Sequence, residues 1–75
     1  MDDVELANLK IIRDIVDNKL FNIMTQNMKR AIADKMLETE QEEARDRLFS
    51  EAKALDRLIG ELVTMANKYR NVTNV

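Results

Sequence analysis

Apolar residues recur at alternating steps of four and three along the second half of the chain. We call this series the seam, and it consists of Leu48, Ala52, Leu55, Ile59, Leu62, Ala66 and Tyr69. Residues three and four apart lie on one face of an α-helix, so the spacing predicts a long helix with one apolar face. Such a face has to be covered by another surface. The seam therefore constrains both the secondary structure and the need for a packing partner.

The predicted helix runs over about residues 40–70, which corresponds to roughly 45 Å at 1.5 Å per residue. Further apolar residues border the seam, namely Phe49, Leu58, Val63 and Met65. An apolar stripe of this width touches more than one neighbouring helix. Gly60 lies inside this helix, where a glycine destabilises the helix by about 1 kcal/mol relative to alanine. Either a closely approaching backbone or open solvent would account for it.

The first half of the chain carries a second amphipathic pattern. Asp2 or Asp3 can cap a helix start, where acidic residues also suit the positive end of the helix dipole. One apolar stripe follows the helical period through Leu6, Leu9, Ile12, Val16, Leu20, Ile23 and Asn27. Val4 and Ile11 fall off this stripe, so we expect them to be exposed or to belong to a second contact surface.

Asp17 and Asn18 are the only candidates for an interruption in this half. Both residue types prefer helix caps to helix interiors, so one interpretation ends a helix there and starts another at Lys19. The uninterrupted stripe favours the other interpretation. We predict one first helix over about residues 3–37, bent or straight, with a split at 17–18 as the alternative.

A turn is predicted at residues 38–40. Thr39 and Glu42 have the spacing of a capping box, in which the Thr39 hydroxyl accepts a hydrogen bond from the Glu42 backbone N–H. The second helix would then start near residue 40, and the tail over residues 71–75 would fray. The sequence predicts an all-α fold in one domain over residues 1–75, an antiparallel hairpin of two long helices.

Two helices in a chain of 75 residues bury too little apolar surface for a stable core. We therefore expect completion to a bundle, either by self-association, with a dimer favoured, or by docking on a larger protein assembly. The predicted interface combines the seam with apolar residues beside it and in the first half. These additional residues are Phe21, Met24, Met28, Leu58 and Met65. The methionines either fill ordinary core space or form an adaptable binding surface.

The composition disfavours catalysis, metal binding and a membrane location. Cysteine and histidine are absent, which removes thiol nucleophiles, zinc sites and the commonest general base. The acidic run near the turn lacks the alternating ligands and glycine of a calcium loop. The apolar runs are too short to span a bilayer, and the acidic N-terminus lacks the core of a signal peptide. We expect a non-enzymatic cytoplasmic protein without cofactor or metal.

Nucleic-acid binding is the alternative function. Lys and Arg number 12 against 14 Asp and Glu, and the two signs are interspersed. Arg45, Arg47, Lys53 and Arg57 are spread around the last helix, which is typical of a solvated surface. Three aromatic residues are too few for a base-stacking platform. The second hypothesis is thus a small regulator whose target is either nucleic acid itself or a host or phage enzyme that acts on nucleic acid.

A remote catalytic alternative comes from the all-helical chorismate mutases, whose first long helix carries an arginine, an aspartate, leucines and a second arginine. This chain offers Arg13, Asp17, Leu20, Ile23 and Met24 at that spacing. Asn27 stands where the second arginine is needed, and an amide supplies no charge for a dicarboxylate substrate. Shared helical periodicity accounts for the similarity.

Three segments resemble small helical proteins encoded by tailed bacteriophages. They are DNKLF at 17–21, EARDRL at 43–48 and ALDRLIGEL at 54–62. Those proteins share a DNPxF-like start, an acidic turn, and RxxLW-like and ALDxLxxxL segments, and the resemblance covers residues 17–70. Lys19 stands where proline is usual, and Phe49 stands near the usual tryptophan. The resemblance implies a phage context, either a virion component or an early host-interaction protein, and it assigns no active site.

Substitution of Leu55 or Ile59 by aspartate should unfold or dissociate the protein, because either change places a charge in the middle of the seam. Circular dichroism detects the loss of helix, and sedimentation at micromolar concentration detects the loss of an oligomer. A well-folded, cooperative monomer that binds nothing would count against the predicted interface.

Overall fold

A computed structural model of the chain describes residues 2–73, which form three α-helices. Helix α1 spans Asp3–Asp17, α2 spans Lys19–Glu38 and α3 spans Glu42–Thr73. Both α1 and α2 pack against α3, whose 32 residues make it the longest element of a particle measuring 52 × 22 × 17 Å. The all-α class agrees with the sequence prediction. The predicted hairpin of two long helices is not confirmed, since the described residues form three.

The helix α1 begins at a side-chain cap. The Asp2 carboxylate accepts a hydrogen bond of 2.7 Å from the Glu5 backbone N–H, and Asp3 and Glu5 lie in the first turn. The predicted acidic start is therefore correct, because a carboxylate satisfies an otherwise unpaired amide and faces the positive end of the dipole.

The first predicted helix is broken at Asn18. This residue has an extended backbone, with φ −73° and ψ 130°. Its backbone N–H donates to the Ile15 carbonyl, and its side-chain oxygen accepts from the Leu20 N–H at 2.8 Å. One residue thus ends α1 and caps α2. The favoured continuous helix over residues 3–37 is wrong, and the alternative start at Lys19 is correct, because the asparagine satisfies amides that the break leaves unpaired.

The extended residue shifts the helical phase between α1 and α2. Val16 is half-buried, whereas Leu20 and Ile23, which would continue its stripe in an unbroken helix, are exposed. The inward positions of α2 are instead Phe21, Thr25, Lys29, Ile32 and Met36. A stripe that follows the helical period across the two segments is therefore not one buried face.

Thr25 is a buried polar residue at the centre of the inward face of α2. Its hydroxyl donates to the Asn22 carbonyl at 3.0 Å. A buried hydroxyl that makes this bond avoids most of the desolvation penalty of an unpaired one. The apolar pattern could not identify this position, because threonine is neither apolar nor charged.

Residues 39–41 connect α2 to α3, and the predicted capping box does not form. The Thr39 hydroxyl donates to the Lys35 carbonyl at 2.6 Å and so closes α2. Helix α3 starts at Glu42, with the Gln41 carbonyl accepting from the Arg45 N–H. A threonine hydroxyl can accept from an amide at the start of the following helix or donate to a carbonyl at the end of the preceding one, and the Thr39 hydroxyl does the second. Residues 71–73 of the predicted tail are helical, and Asn74 and Val75 lie outside the described residues.

Polar contacts fix how α1 and α2 sit on α3. Lys29 pairs with Asp56 at 2.9 Å, and the Arg45 side chain donates to the Thr39 carbonyl, so α2 and α3 are antiparallel. Near the end of α1, Asp17 pairs with Arg70. Exposed ion pairs of this kind contribute about 0–1 kcal/mol each. They orient the helices more than they stabilise them.

The enclosed core is small. Among residues 2–73, Leu9 and Ala66 are the buried apolar side chains, and Thr25 is the buried polar one. Ala66 has 0% of its surface exposed, so it lies where α3 is most closely covered by the rest of the chain. Most other apolar side chains are half-buried or exposed.

Ala66→Leu should lower the free energy of unfolding by about 1–3 kcal/mol, because the added atoms have no space at a fully enclosed position. The matched control is Ala54→Leu, the same change at an exposed site on the same helix, where we expect a change within about 0.5 kcal/mol. Urea unfolding measures both. Equal effects of the two substitutions would contradict the close contact at Ala66.

Asn18→Ala should destabilise the protein by about 0.5–2 kcal/mol, since alanine removes the cap on the Leu20 N–H. The control is Asn71→Ala, which changes an exposed asparagine inside α3 and should be nearly neutral or slightly stabilising. Thermal unfolding compares the two. A more stable Asn18→Ala variant would mean that α1 and α2 join into one helix at little cost.

Candidate partner interface

The seam on α3 is turned toward the rest of its own chain. Six of its residues are half-buried and the seventh, Ala66, is buried. At the C-terminal end, the Arg13 guanidinium lies 4.9 Å from the centre of the Tyr69 ring, which joins α1 to the seam by a cation–π contact. The seam therefore packs mainly against α1 and α2 of its own chain. Another molecule could contact only the parts of its half-buried side chains that remain exposed.

The remaining predicted interface residues separate into two places. Leu58 and Met65 are exposed beside the seam, and Met65 borders a hollow with Leu9 of α1. Met24 and Met28 are exposed on α2. Phe21 is half-buried. Met24 of α2 and Met65 of α3 line different hollows.

Exposed apolar side chains of α1 and α2 form a continuous surface around the break at Asn18. Ile15, Leu20 and Met24 line one hollow together with Asn18 and Phe21. Ile11 lies one helical turn before Ile15, and Met28 lies one turn after Met24. We call this surface the α1–α2 face, defined by its exposed residues Ile11, Ile15, Leu20, Met24 and Met28.

The α2 part of this face carries no charge. Residues 20–28 contain no Asp, Glu, Lys or Arg, although such residues make up 35% of the chain. The polar residues within the run are Asn22, Thr25, Gln26 and Asn27. A surface without charges can be buried against another apolar surface without desolvating an ion, which is the largest cost of burying polar groups.

Sequence reasoning identified only part of the α1–α2 face. The predicted interface contained Met24 and Met28, while Ile11 was expected to be exposed or to form a second contact surface. Ile11 is exposed, and so is Leu20, which had been placed on the continuous stripe. The available signal was the charge-free run at 20–28, which does not depend on the helical phase.

Three of the cations considered for other functions, Arg13, Arg45 and Lys53, make local contacts. The Arg45 side chain donates to the Thr39 carbonyl, and the Lys53 ammonium lies 4.7 Å from the centre of the Phe49 ring. Arg13 pairs with Asp14 at 2.8 Å. These contacts hold the three cations at separate positions on the surface, so the cations do not form one binding site for an anionic ligand.

Within residues 2–73, no group of three or more acidic residues lies close enough together to hold a metal ion. None of the helices in this part of the chain has both the length and the apolar character needed to cross a bilayer. No protein family, characterised protein or solved structure matches the chain when it is compared with them. The surface chemistry of the molecule is therefore the basis for any functional conclusion.

Proposed function

We propose that this protein is a non-enzymatic structural or adaptor protein that acts through helix–helix contacts in a homo-oligomer or a larger assembly. The observation that supports this most directly is its surface area. The chain of 8.7 kDa exposes 6137 Å², whereas a compact monomer of that mass exposes about 4,700 Å². The difference is about 1,400 Å², which lies within the area of about 1,000–2,500 Å² that each protomer buries in a permanent homodimer.

The chemical character of the exposed surface points in the same direction. Large apolar side chains are exposed on all three helices, among them Val4, Ile11, Leu20, Leu58 and Val72. Single exposed apolar residues are normal in soluble proteins, but adjacent ones that form a continuous face mark sites of interaction. The five residues of the α1–α2 face meet that description.

The thin core supports the same proposal. With two buried apolar side chains among residues 2–73, burial within one chain contributes little against the entropy of ordering it. An assembly would supply the missing burial. The stability of such a protein depends on its protomer concentration, because the folded monomer is not the final state.

The proposal includes a phage context, for which the sequence resemblance over residues 17–70 is the support. A structural or adaptor protein of this origin would act in the cytoplasm of a bacterial host or within the virion. No catalytic residue, cofactor or metal belongs to the proposal.

Sedimentation of the purified chain at micromolar concentration should give a mass above 8.7 kDa. The melting temperature should rise with concentration, because each tenfold increase adds about 1.4 kcal/mol to the stability of a dimer. The proposal would be overturned by a monomer that melts cooperatively at a concentration-independent temperature and retains no other protein on isolation from cells.

A further inference from the structure

We infer that a second copy of this chain covers the α1–α2 face, so that two protomers form a two-fold symmetric dimer. The inference rests on the proposed function and deepens it by naming both the surface and the occupant. It departs from the predicted interface, which centred on the seam of α3.

The excess of exposed surface agrees with the area that a second copy of the chain would cover. Permanent homodimer interfaces bury about 1,000–2,500 Å² on each protomer. The excess of about 1,400 Å² over a compact monomer lies within that range. One contact with a second copy would thus bring the exposed area close to that of an ordinary globular protein.

The chemistry of the face suits contact with itself. A two-fold axis places the same residues of both protomers opposite one another, so a charged face would meet its own charge. Residues 20–28 avoid this repulsion because they contain no charged side chain. At the α1 end of the face, Asp14 lies three residues after Ile11, and its charge is paired with that of Arg13 at 2.8 Å. Amides both donate and accept hydrogen bonds, so the exposed Asn27 can pair with its own copy and fix the register of facing helices.

The exposed apolar residues of α3 are less suited to such a contact. Glu61 lies three residues after Leu58 and four before Met65, so a carboxylate shares their side of the helix. Phe49 is already covered in part by the Lys53 side chain. A two-fold contact through this side of α3 would bring two copies of Glu61 together in a partly desolvated interface.

The decisive experiment compares Leu20→Glu with Leu37→Glu in the purified full chain. Both leucines lie on α2 and are mostly exposed, at 70% and 86%, but Leu37 is outside the α1–α2 face. Wild type and Leu37→Glu should sediment as dimers of twice 8.7 kDa. Leu20→Glu should raise the dissociation constant at least about 100-fold, because each interface would then bury two unpaired carboxylates.

A second measurement covers the case in which Leu20→Glu dissociates and then unfolds. The chain has no cysteine, so Met24→Cys and Leu37→Cys each introduce a single thiol. A short bis-maleimide should link Met24→Cys into covalent dimers within the intact assembly and leave Leu37→Cys monomeric in denaturing gels. Equal and slow linkage of the two variants would overturn the inference.

Other results separate this inference from the proposed function. If Leu58→Glu dissociates an oligomer that Leu20→Glu leaves intact, the assembly uses α3, so the α1–α2 inference fails while the proposed function stands. The same holds if the chain alone is a monomer and a different protein binds it in a manner abolished by Leu20→Glu. A stable monomer that binds nothing and is unaffected by either change overturns both.

Discussion

The fold depends on a single hydrogen-bonded residue. The Asn18 side chain accepts from the Leu20 N–H while the Asn18 N–H closes the last turn of α1. Because this residue is extended, the apolar face of α1 and that of α2 are no longer in phase. Phe21 and Thr25 turn inward, and Leu20 turns outward. The same local bond therefore determines both the packing against α3 and the apolar surface left exposed.

Helix α3 provides the common surface on which the other two helices lie. Its seam keeps one face over seven positions, so α1 and α2 can both pack on it without packing extensively on each other. This arrangement encloses Leu9 and Ala66 but leaves most other apolar side chains half-buried or exposed. A second layer of helices is the natural completion, since helix bundles bury their wide apolar faces between layers.

The sequence predicted those features that depend on local spacing. The acidic cap at Asp2 and the long last helix follow from residue type and helical period, and both are present. The capping box at Thr39 failed because its hydroxyl bonds to Lys35 instead. Leu20 was misplaced because its position depends on the conformation of one asparagine between two helices. No apolar pattern encodes that conformation.

The sequence by itself determined that the chain is helical, where its longest helix lies and which of that helix's faces is apolar. These properties follow from side-chain spacing along one segment. Only the tertiary structure decided that the seam is met by the chain's own α1 and α2, and that Ile11, Leu20 and Met24 remain in solvent. The reason is physical, since the burial of a side chain depends on where separate helices meet. The backbone conformation of Asn18 sets the direction of α1 relative to the rest of the chain, so it changes the burial of every residue in α1.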